Sequence, residues 1–326
     1  MRTIPLNAGA VKRMKICFVM DPVESVNVDA DTTFALMLGA QERGHEVFYV
    51  RPEDLPARRD ECWATLWPVK IQRDRLKPAI RGEARFVPLH EMDCIWMRKD
   101  PPFDELYLYE VGLLELAEAR GALVVNRPVG LRAANEKLYA LHFAEVIPDT
   151  MVSSDREKLK GFIEERGGTG VLKPLSGHGG EGIFVASLED RNLNALIEVS
   201  TQNGTIPVMC QEYLPAARQG DKRILMLDGE PMGAILRVPL AEEHRSNIHV
   251  GGRVEKTTLS EEERRICELV GPRLVADGLY FVGLDVIGGR LTEVNVTSPT
   301  GIQEMSRLDG VDGPGLVMEW VEKRLA

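Results

Sequence analysis

Short apolar runs alternate with amphipathic stretches over roughly the first 130 residues of the chain. The stretch 31–43 has helical periodicity and stops at Gly44, a residue type that commonly ends helices. The stretch 104–120 also predicts a helix, which stops at Gly121. The segment 51–90 is rich in proline and charge and shows no clear pattern. This alternation predicts an α/β domain with a parallel sheet, whose buried strands we expect at 15–20, 46–50, 94–97 and 123–125.

A second pattern begins near residue 135, where two strand-like runs flank a glycine-rich loop. Ser154 and Glu157 stand at capping-box spacing ahead of an amphipathic helix. A further helix at 191–202 and a strand at 208–211 complete the unit. The pattern predicts a small α+β lobe.

A third unit contains four strands and one long helix. The helix begins at Ser260, again at capping-box spacing with Glu263. Asp228-Gly229 and Gly288-Gly289 predict tight hairpin turns between strands expected at 223–227, 232–237, 281–286 and 290–296. We therefore divide the chain into a polar extension (1–13), which we expect to be disordered with Met14 as a candidate translation start, and three domains at 14–134, 135–212 and 213–326.

Composition narrows the class of protein. The 326 residues are 44% hydrophobic and 28% charged, which is typical of a soluble globular protein of two or three domains. A net charge of −10 opposes general binding to nucleic acid, which needs Lys and Arg to neutralise phosphates. No apolar run is long enough to span a bilayer. Five scattered cysteines without paired spacing predict neither disulfides nor a zinc site, so we expect a cytoplasmic protein.

The glycine-rich loop Ser176–Gly182 is the first candidate for chemistry. Glycine lets backbone N–H groups approach phosphate oxygens, and Lys173 just before the loop adds a positive charge for the same anion. The pattern after the loop is short and β-branched, which predicts a hairpin flap and not a loop that opens a helix. The loop therefore predicts a nucleoside triphosphate site. A surface turn that simply needs glycine is the alternative.

Oxygen-bearing side chains on two neighbouring predicted strands are the second candidate. Glu293 and Asn295 alternate with apolar residues, so both side chains project from one face of their strand. Asp285 ends the apolar part of the preceding strand and could add a third oxygen. Because Mg²⁺ prefers oxygen ligands, this pattern predicts a magnesium site next to phosphate. A solvated polar face is the alternative.

Several arginines are the third candidate. Arg223 and Arg237 lie near predicted strand ends, where a charged side chain needs a partner or water. Arg98 follows the strand 94–97, at a carboxyl end where binding residues collect, although a proline-terminated connection would look the same. The polar stretch 238–253 predicts a mobile lid that clamps carboxylates or phosphates, or else a solvated loop, and it carries Arg245, Asn247 and Arg253.

Eight short segments now stand in order along the chain: 19–22 (VMDP), 97–104 (MRKDPPFD), 135–137 (NEK), 172–174 (LKP), 211–215 (QEYLP), 220–223 (GDKR), 251–253 (GGR) and 293–300 (EVNVTSPT). Together they resemble the prokaryotic-type glutathione synthetases of the ATP-grasp superfamily from about Met14 to the C-terminus. The resemblance implies an α/β protein with the ATP-grasp fold. It would comprise an N-terminal parallel α/β domain, a small α+β lid lobe and a C-terminal α+β lobe.

The resemblance also implies an activity. It indicates a ligase that joins γ-glutamylcysteine to glycine with ATP and Mg²⁺, Mn²⁺ being possible, through an acyl phosphate, in a homo-oligomer such as a tetramer. By position it assigns ATP to Lys137, Lys173, Ser176, Gly177, Gly179, Gly180, Gly182, Gln211, Glu212, Tyr213, Leu214 and Asp221, and metal to Asp285, Glu293 and Asn295. It assigns catalysis to Arg223, Arg245, Asn247 and Arg253, and substrate to Asp21, Arg98, Arg237, Ser298 and Thr300.

Two other functions stay open. The first is another carboxylate–amine ligase of the same superfamily with a different peptide. The second is a nucleotide-binding regulator without turnover, as the synapsins are often regarded. The presence of Lys137, Lys173, Glu293 and Asn295 argues against the regulator.

Overall fold

The computed structural model describes residues 12–177, 179–239 and 253–326. Its first sheet has a parallel centre of four strands, in the spatial order β2 (Glu46–Val50), β1 (Lys15–Val19), β7 (Cys94–Met97) and β8 (Leu123–Val125). The helices of this region are α1 (Thr32–Glu42), α2 (Glu105–Glu118) and α3 (Pro128–Ala133). The predicted strands and the two predicted helices are confirmed. Residues 1–11 of the predicted extension lie outside the described residues.

The segment 51–90 adds an antiparallel extension that the sequence pattern did not predict. It contains β3 (Ala57–Arg58), β4 (Glu61–Ile71), β5 (Ala79–Arg81) and β6 (Arg85–Pro88). The long strand β4 pairs antiparallel with β2, and the three short strands all pair with β4. The predicted parallel sheet is therefore confirmed at its centre, and the segment 51–90, for which the sequence pattern allowed no assignment, adds antiparallel strands beside it.

A second sheet forms a small lobe in the middle of the chain. Its order is β11 (Phe184–Ser187), β10 (Thr169–Pro174), β12 (Val208–Glu212) and β9 (Thr150–Ser153), with every pair antiparallel. Two helices accompany it, α4 (Arg156–Glu165) and α5 (Leu193–Ser200). The predicted cap of α4 is wrong by one residue. Asp155, not Ser154, accepts hydrogen bonds from the backbone N–H groups of Glu157 and Lys158.

The third sheet has the order β15 (Arg253–Lys256), β14 (Glu230–Val238), β13 (Asp221–Leu227), β16 (Phe281–Ile287) and β17 (Arg290–Asn295). The helix α6 (Glu261–Ala276) begins with the predicted capping box of Ser260 and Glu263. Asp228 and Gly229 both have positive φ angles, as do Gly288 and Gly289, and each pair joins two antiparallel strands. Both predicted hairpin turns are confirmed. Two unpredicted helices end the chain, α7 (Ile302–Asp309) and α8 (Gly313–Leu325).

The first and third sheets share their hydrophobic cores, whereas the middle lobe has a core of its own. Trp96 on β7 packs edge-on against Phe281 on β16, with ring centroids 5.9 Å apart. Burying an aromatic side chain of this size stabilises the fold by ~1.5–3 kcal/mol. Helix α8 packs on α1, where Glu322 accepts hydrogen bonds from Arg43. The small lobe is therefore built separately from the body formed by the other two sheets.

No helix in the described part of the chain is long and apolar enough to cross a membrane. All five cysteines are buried with free thiols.

Candidate active site

A cleft of about 400 Å³ lies between the middle lobe and the third sheet. It collects most of the residues that the sequence assigned to ATP and two of the three assigned to metal. The predicted residues in its lining are Lys137, Lys173, Gly177, Gly179, Gly180, Gln211, Glu212, Tyr213, Leu214, Asp221, Asp285 and Glu293. Ser176, Gly182 and Asn295 do not line it. Residues separated by up to about 150 positions in sequence therefore converge on one cavity.

The glycine-rich loop joins β10 to β11, which pair antiparallel, so the predicted hairpin is confirmed. Gly182 has a φ of +66°, and a Cβ there would stand 2.8 Å from Cγ of Pro174. A side chain at this position would therefore be strained by both the backbone and the packing. His178 lies outside the described residues. The loop forms one wall of the cleft through Gly177, Gly179 and Gly180.

Two lysines bring positive charge into the cleft. Lys137 Nζ donates to the carbonyl oxygen of Gly177 at 2.6 Å and lies 3.0 Å from Oε1 of Glu293. Lys173 Nζ donates to Oε1 of Gln211 at 2.5 Å. Burial lowers the pKa of Lys173, and the neighbouring carboxylate of Glu293 opposes that shift. The two ammonium groups thus lie between the flap and the carboxylate strands, where phosphate oxygens would be neutralised.

Part of the cleft wall is apolar. Val171, Ile183, Phe184 and Ile287 contribute to its wall beside the strand end Gln211–Leu214. Gln211 is 2% exposed, and its amide donates to Thr150 Oγ1 at 3.1 Å. An apolar slot with a few fixed polar groups is the usual environment of a planar ligand ring. The sequence alone indicates no role for these apolar residues, because they occupy positions typical of ordinary strands.

Asp285 and Glu293 are direct neighbours across β16 and β17. Both oxygens of Asp285 are bound by Arg223, with Nε–Oδ1 and Nη2–Oδ2 distances of 2.5 and 3.0 Å. Arg237 Nη2 lies 2.9 Å from Oδ2 of the same carboxylate. Burial raises the pKa of Asp285, but the two guanidinium groups outweigh it and hold that pKa well below its usual range. The carboxylate is therefore ionised.

Close packing supports this arrangement. Gly283 faces Asn295 across the two strands, and a Cβ on Gly283 would stand 2.8 Å from Cδ of Arg223. The glycine therefore leaves the space in which the Arg223 side chain lies.

The donor set fits a hard divalent cation. Among the described residues, no three His, Cys, Asp or Glu side chains form a metal-binding group. An ion would therefore draw on Asp285, Glu293 and the amide of Asn295, with further oxygens from a ligand. Asn295 Nδ2 donates to the carbonyl oxygen of Gly283 at 3.1 Å, which leaves its Oδ1 as an acceptor. Oxygen donors of this kind suit Mg²⁺, which usually keeps positions open for phosphate or water.

Arg237, predicted to contact substrate, is paired with two acidic side chains. Its side chain is 4% exposed, and Nε donates to Asp221 Oδ1 at 2.7 Å. Its second contact is Asp285. Arg237 therefore bridges two acidic residues that line the cleft and holds their side chains in place.

Arg98 and the segment Ser298–Thr300 form a second group beside the cleft. Arg98 Nε donates to Thr33 Oγ1 and Nη2 donates to the carbonyl oxygen of Pro299, each at 3.0 Å. Burial lowers the pKa of Arg98, and no ion pair of this residue occurs among the described residues. Arg223 Nη1 donates to the carbonyl oxygen of Thr300 at 3.2 Å, which links this group to Asp285.

The remaining predicted site residues are placed less centrally. Asp21 Oδ2 accepts a hydrogen bond from the backbone N–H of Asp100 at 2.9 Å. Arg253 is largely exposed and contacts Glu255. Arg245 and Asn247 lie outside the described residues, together with most of the predicted lid.

The structure adds one residue that the sequence analysis left without a role. Glu136 accepts hydrogen bonds from Val296 and Thr297 at the end of β17. Burial and the nearby charge of Glu293 raise the pKa of Glu136. A single glutamate between Asn135 and Lys137 has no periodicity, so no sequence signal beyond the short NEK motif could reveal it.

Comparison with known proteins first defines the class. D-cycloserine synthetase DcsG has a TM-score of 0.66 at 13% identity, covering 96% of this chain and 100% of that one. The ATP-grasp ligase PsnB, solved with a minimal precursor, Mg and ADP, has a TM-score of 0.62 at 18% identity, covering 95% and 97%. At such low identity these structures show the fold alone. The chain has the ATP-grasp fold.

Family models and close relatives then define the family. The N-terminal domain of prokaryotic glutathione synthetase matches residues 14–132, and its ATP-grasp domain matches residues 136–310. The glutathione synthetase of Gloeobacter violaceus is 50% identical over 94% of this chain and 96% of that protein. The enzyme of that name from Thermosynechococcus vestitus is 47% identical over 94% and 99%. The chain belongs to the prokaryotic glutathione synthetase family, which confirms the resemblance drawn from its eight short segments.

Proposed function

We propose that this chain is an ATP-dependent ligase that joins γ-glutamylcysteine to glycine, forming glutathione, ADP and phosphate. The observation that carries the proposal is the convergence of the glycine flap, Lys137, Lys173 and the carboxylates of Asp285 and Glu293 in one cleft. The 42–50% identity to proteins named glutathione synthetase supports the choice of substrates. The family resemblance extends the proposal to Mn²⁺ as a second usable ion, to a homo-oligomer such as a tetramer, and to the cytoplasm.

Phosphoryl transfer depends chiefly on positioning and on neutralising charge, and the cleft offers both. Lys137 and Lys173 would hold the phosphates under the flap, while the apolar slot near Gln211 would take the adenine ring. Bound Mg²⁺, held by Asp285, Glu293 and Asn295, would neutralise phosphate charge. The cysteinyl carboxylate of the peptide would attack the γ-phosphorus and release ADP.

The second step is the attack of the glycine amine on the resulting acyl phosphate. Charge then develops on the carbonyl oxygen and on the departing phosphate. Arg223 lies between Asp285 and the Thr300 carbonyl oxygen, so we place it next to these charges. Arg98, a buried cation without an ion pair in the described chain, would bind a carboxylate of the peptide. No protein nucleophile is needed in this scheme.

A coupled assay of ADP release tests the proposal. We expect sustained ADP release when ATP, Mg²⁺, γ-glutamylcysteine and glycine are all present, with glutathione as the product by mass spectrometry. Omitting either the peptide or glycine should abolish turnover. Faster turnover with another peptide or amine would overturn the substrate assignment in favour of a different ligase. ATP binding without any turnover would favour a regulator.

A further inference from the structure

Three consecutive residues, Asn135, Glu136 and Lys137, connect parts of the site that come from different lobes. Lys137 contacts both the flap, at the Gly177 carbonyl oxygen, and β17, at Glu293. Its position relative to these two partners is therefore critical for any phosphate that the cleft binds. The two residues before it make hydrogen bonds that the proposed mechanism does not use.

Asn135 fixes the triplet to the base of the flap. Its Nδ2 donates to the carbonyl oxygen of Leu175 at 2.9 Å, directly before the glycine-rich loop begins. Its Oδ1 accepts hydrogen bonds from the backbone N–H groups of Lys137 and Leu138, at 3.2 and 3.1 Å. One amide thus sets both the start of the flap and the backbone that carries Lys137.

Glu136 fixes the same triplet to the residues that directly follow β17. A single carboxylate oxygen, Oε1, accepts from the backbone N–H groups of Val296 and Thr297 and from Thr297 Oγ1, at 2.8, 3.0 and 2.9 Å. The backbone carbonyl oxygen of Glu136 accepts from the N–H of Val294 at 3.1 Å. Side chain and backbone together therefore hold the chain where it leaves β17 and enters Ser298–Thr300.

The segment held by Glu136 leads directly to the arginines. The carbonyl oxygen of Pro299 accepts from Arg98, and that of Thr300 accepts from Arg223. Thr297 itself is 3% exposed, so its N–H group has no water to replace a lost partner. A shift of residues 296–300 would carry both guanidinium groups with it, and a displacement of ~1 Å at a reacting centre can cost ~10²-fold in rate.

We propose that Asn135 and Glu136 are positioning residues with separate tasks, Asn135 for the ATP flap and Glu136 for the peptide-binding segment. Neither touches the reacting atoms. This inference rests on the proposed function, because it assigns ATP to the flap side and γ-glutamylcysteine to the side of Ser298–Thr300. The position of ATP relative to the peptide would therefore be set by one short segment, residues 135–137.

The test is a comparison of Michaelis constants in Asn135→Ala, Glu136→Ala and Glu136→Gln. We expect Glu136→Ala to raise KM for γ-glutamylcysteine at least ~10-fold while KM for ATP stays within ~2-fold, and Asn135→Ala to do the reverse. Glu136→Gln keeps an acceptor oxygen in place, so its KM for γ-glutamylcysteine should lie close to the wild-type value. Glu322→Gln is the matched control and should change neither constant. Glu322 lies on helix α8, away from the cleft, and its carboxylate pairs with Arg43.

A purely structural role gives a different result, because partial unfolding lowers the amount of active enzyme without changing either KM. Unchanged Michaelis constants in active variants, or parallel rises in both, would overturn the positioning roles. If Glu136→Ala does not fold, Thr297→Val, which removes one donor to the same carboxylate, takes its place, and an unchanged peptide KM there together with an unchanged ATP KM in Asn135→Ala would reject the inference. Absence of wild-type turnover with γ-glutamylcysteine and glycine would instead overturn the proposed function itself.

Discussion

Glu293→Gln should lower turnover at saturating ATP, peptide, glycine and Mg²⁺ by at least ~10²-fold, the scale seen when an electrostatic stabiliser is removed from an active site. The substitution keeps the shape of the side chain and removes its charge. Glu293 faces the cleft, where it lies 3.0 Å from the Lys137 ammonium group and directly opposite Asp285. The negative charge that would hold the cation and that pairs with the lysine would be lost.

Folding should survive this change, because the Glu293 side chain is about a quarter exposed and the buried Lys137 ammonium keeps its hydrogen bond to the Gly177 carbonyl oxygen. Thermal unfolding should therefore stay close to wild type. Glu230→Gln, at an exposed glutamate at the start of β14, provides the control and should keep full activity. Turnover of Glu293→Gln within ~3-fold of wild type at saturating Mg²⁺ would contradict the metal assignment.

Arg98→Lys should reduce kcat/KM for γ-glutamylcysteine by ~10²-fold while leaving the ATP KM nearly unchanged. The guanidinium of Arg98 donates in two directions, to Thr33 and to Pro299, and lies 5.8 Å from the ring centroid of Phe281. A lysine ammonium cannot reproduce this planar geometry. The remaining N–H groups of the guanidinium are the part we assign to the peptide carboxylate.

A second arginine gives a closely matched control. Arg73 lies 5.6 Å from the ring centroid of Phe34 and donates to Gln303 and to the carbonyl oxygen of Val28, but it does not line the ATP cleft. Arg73→Lys should keep the kinetic constants of the wild type. Equal losses in both variants would indicate that Arg98 acts through packing alone.

Local signals in the sequence predicted many elements correctly. The capping box of Ser260 and Glu263 and the turn at Asp228-Gly229 depend on residues next to each other in the chain, and both appear as expected. The alternation of Glu293, Val294 and Asn295 likewise placed the two polar residues on one face of β17. Such features are set within a few residues, so a single sequence is enough to reveal them.

Long-range pairings could not be predicted in the same way. Strand β4 alternates buried Cys62, Ala64 and Leu66 with less buried residues, but Pro68 and the surrounding charges obscured that pattern. Its place beside β2 depends on a pairing that joins residues well separated in the sequence. Asp155 rather than Ser154 caps α4, because neighbouring residues of similar capping ability compete and the backbone of the folded chain selects one.

The same limit applies to the site. The sequence indicated which residue types serve ATP and metal, and the cleft brings most of them together. The sequence could not show that Arg237 forms ion pairs with Asp221 and Asp285, because the contact with Asp285 joins residues 48 positions apart. The contacts of Glu136 and Thr33 depend on partners at Thr297 and Arg98, which lie 161 and 65 positions away in sequence.

The central claim is that this chain activates a peptide carboxylate as an acyl phosphate, and transfer of oxygen tests it most directly. With the C-terminal carboxylate of γ-glutamylcysteine labelled by ¹⁸O, the labelled oxygen attacks phosphorus and leaves with it when glycine attacks carbon. We expect one ¹⁸O atom in each inorganic phosphate released, in step with ADP and glutathione. Unlabelled phosphate, or release of AMP and pyrophosphate, would contradict the account.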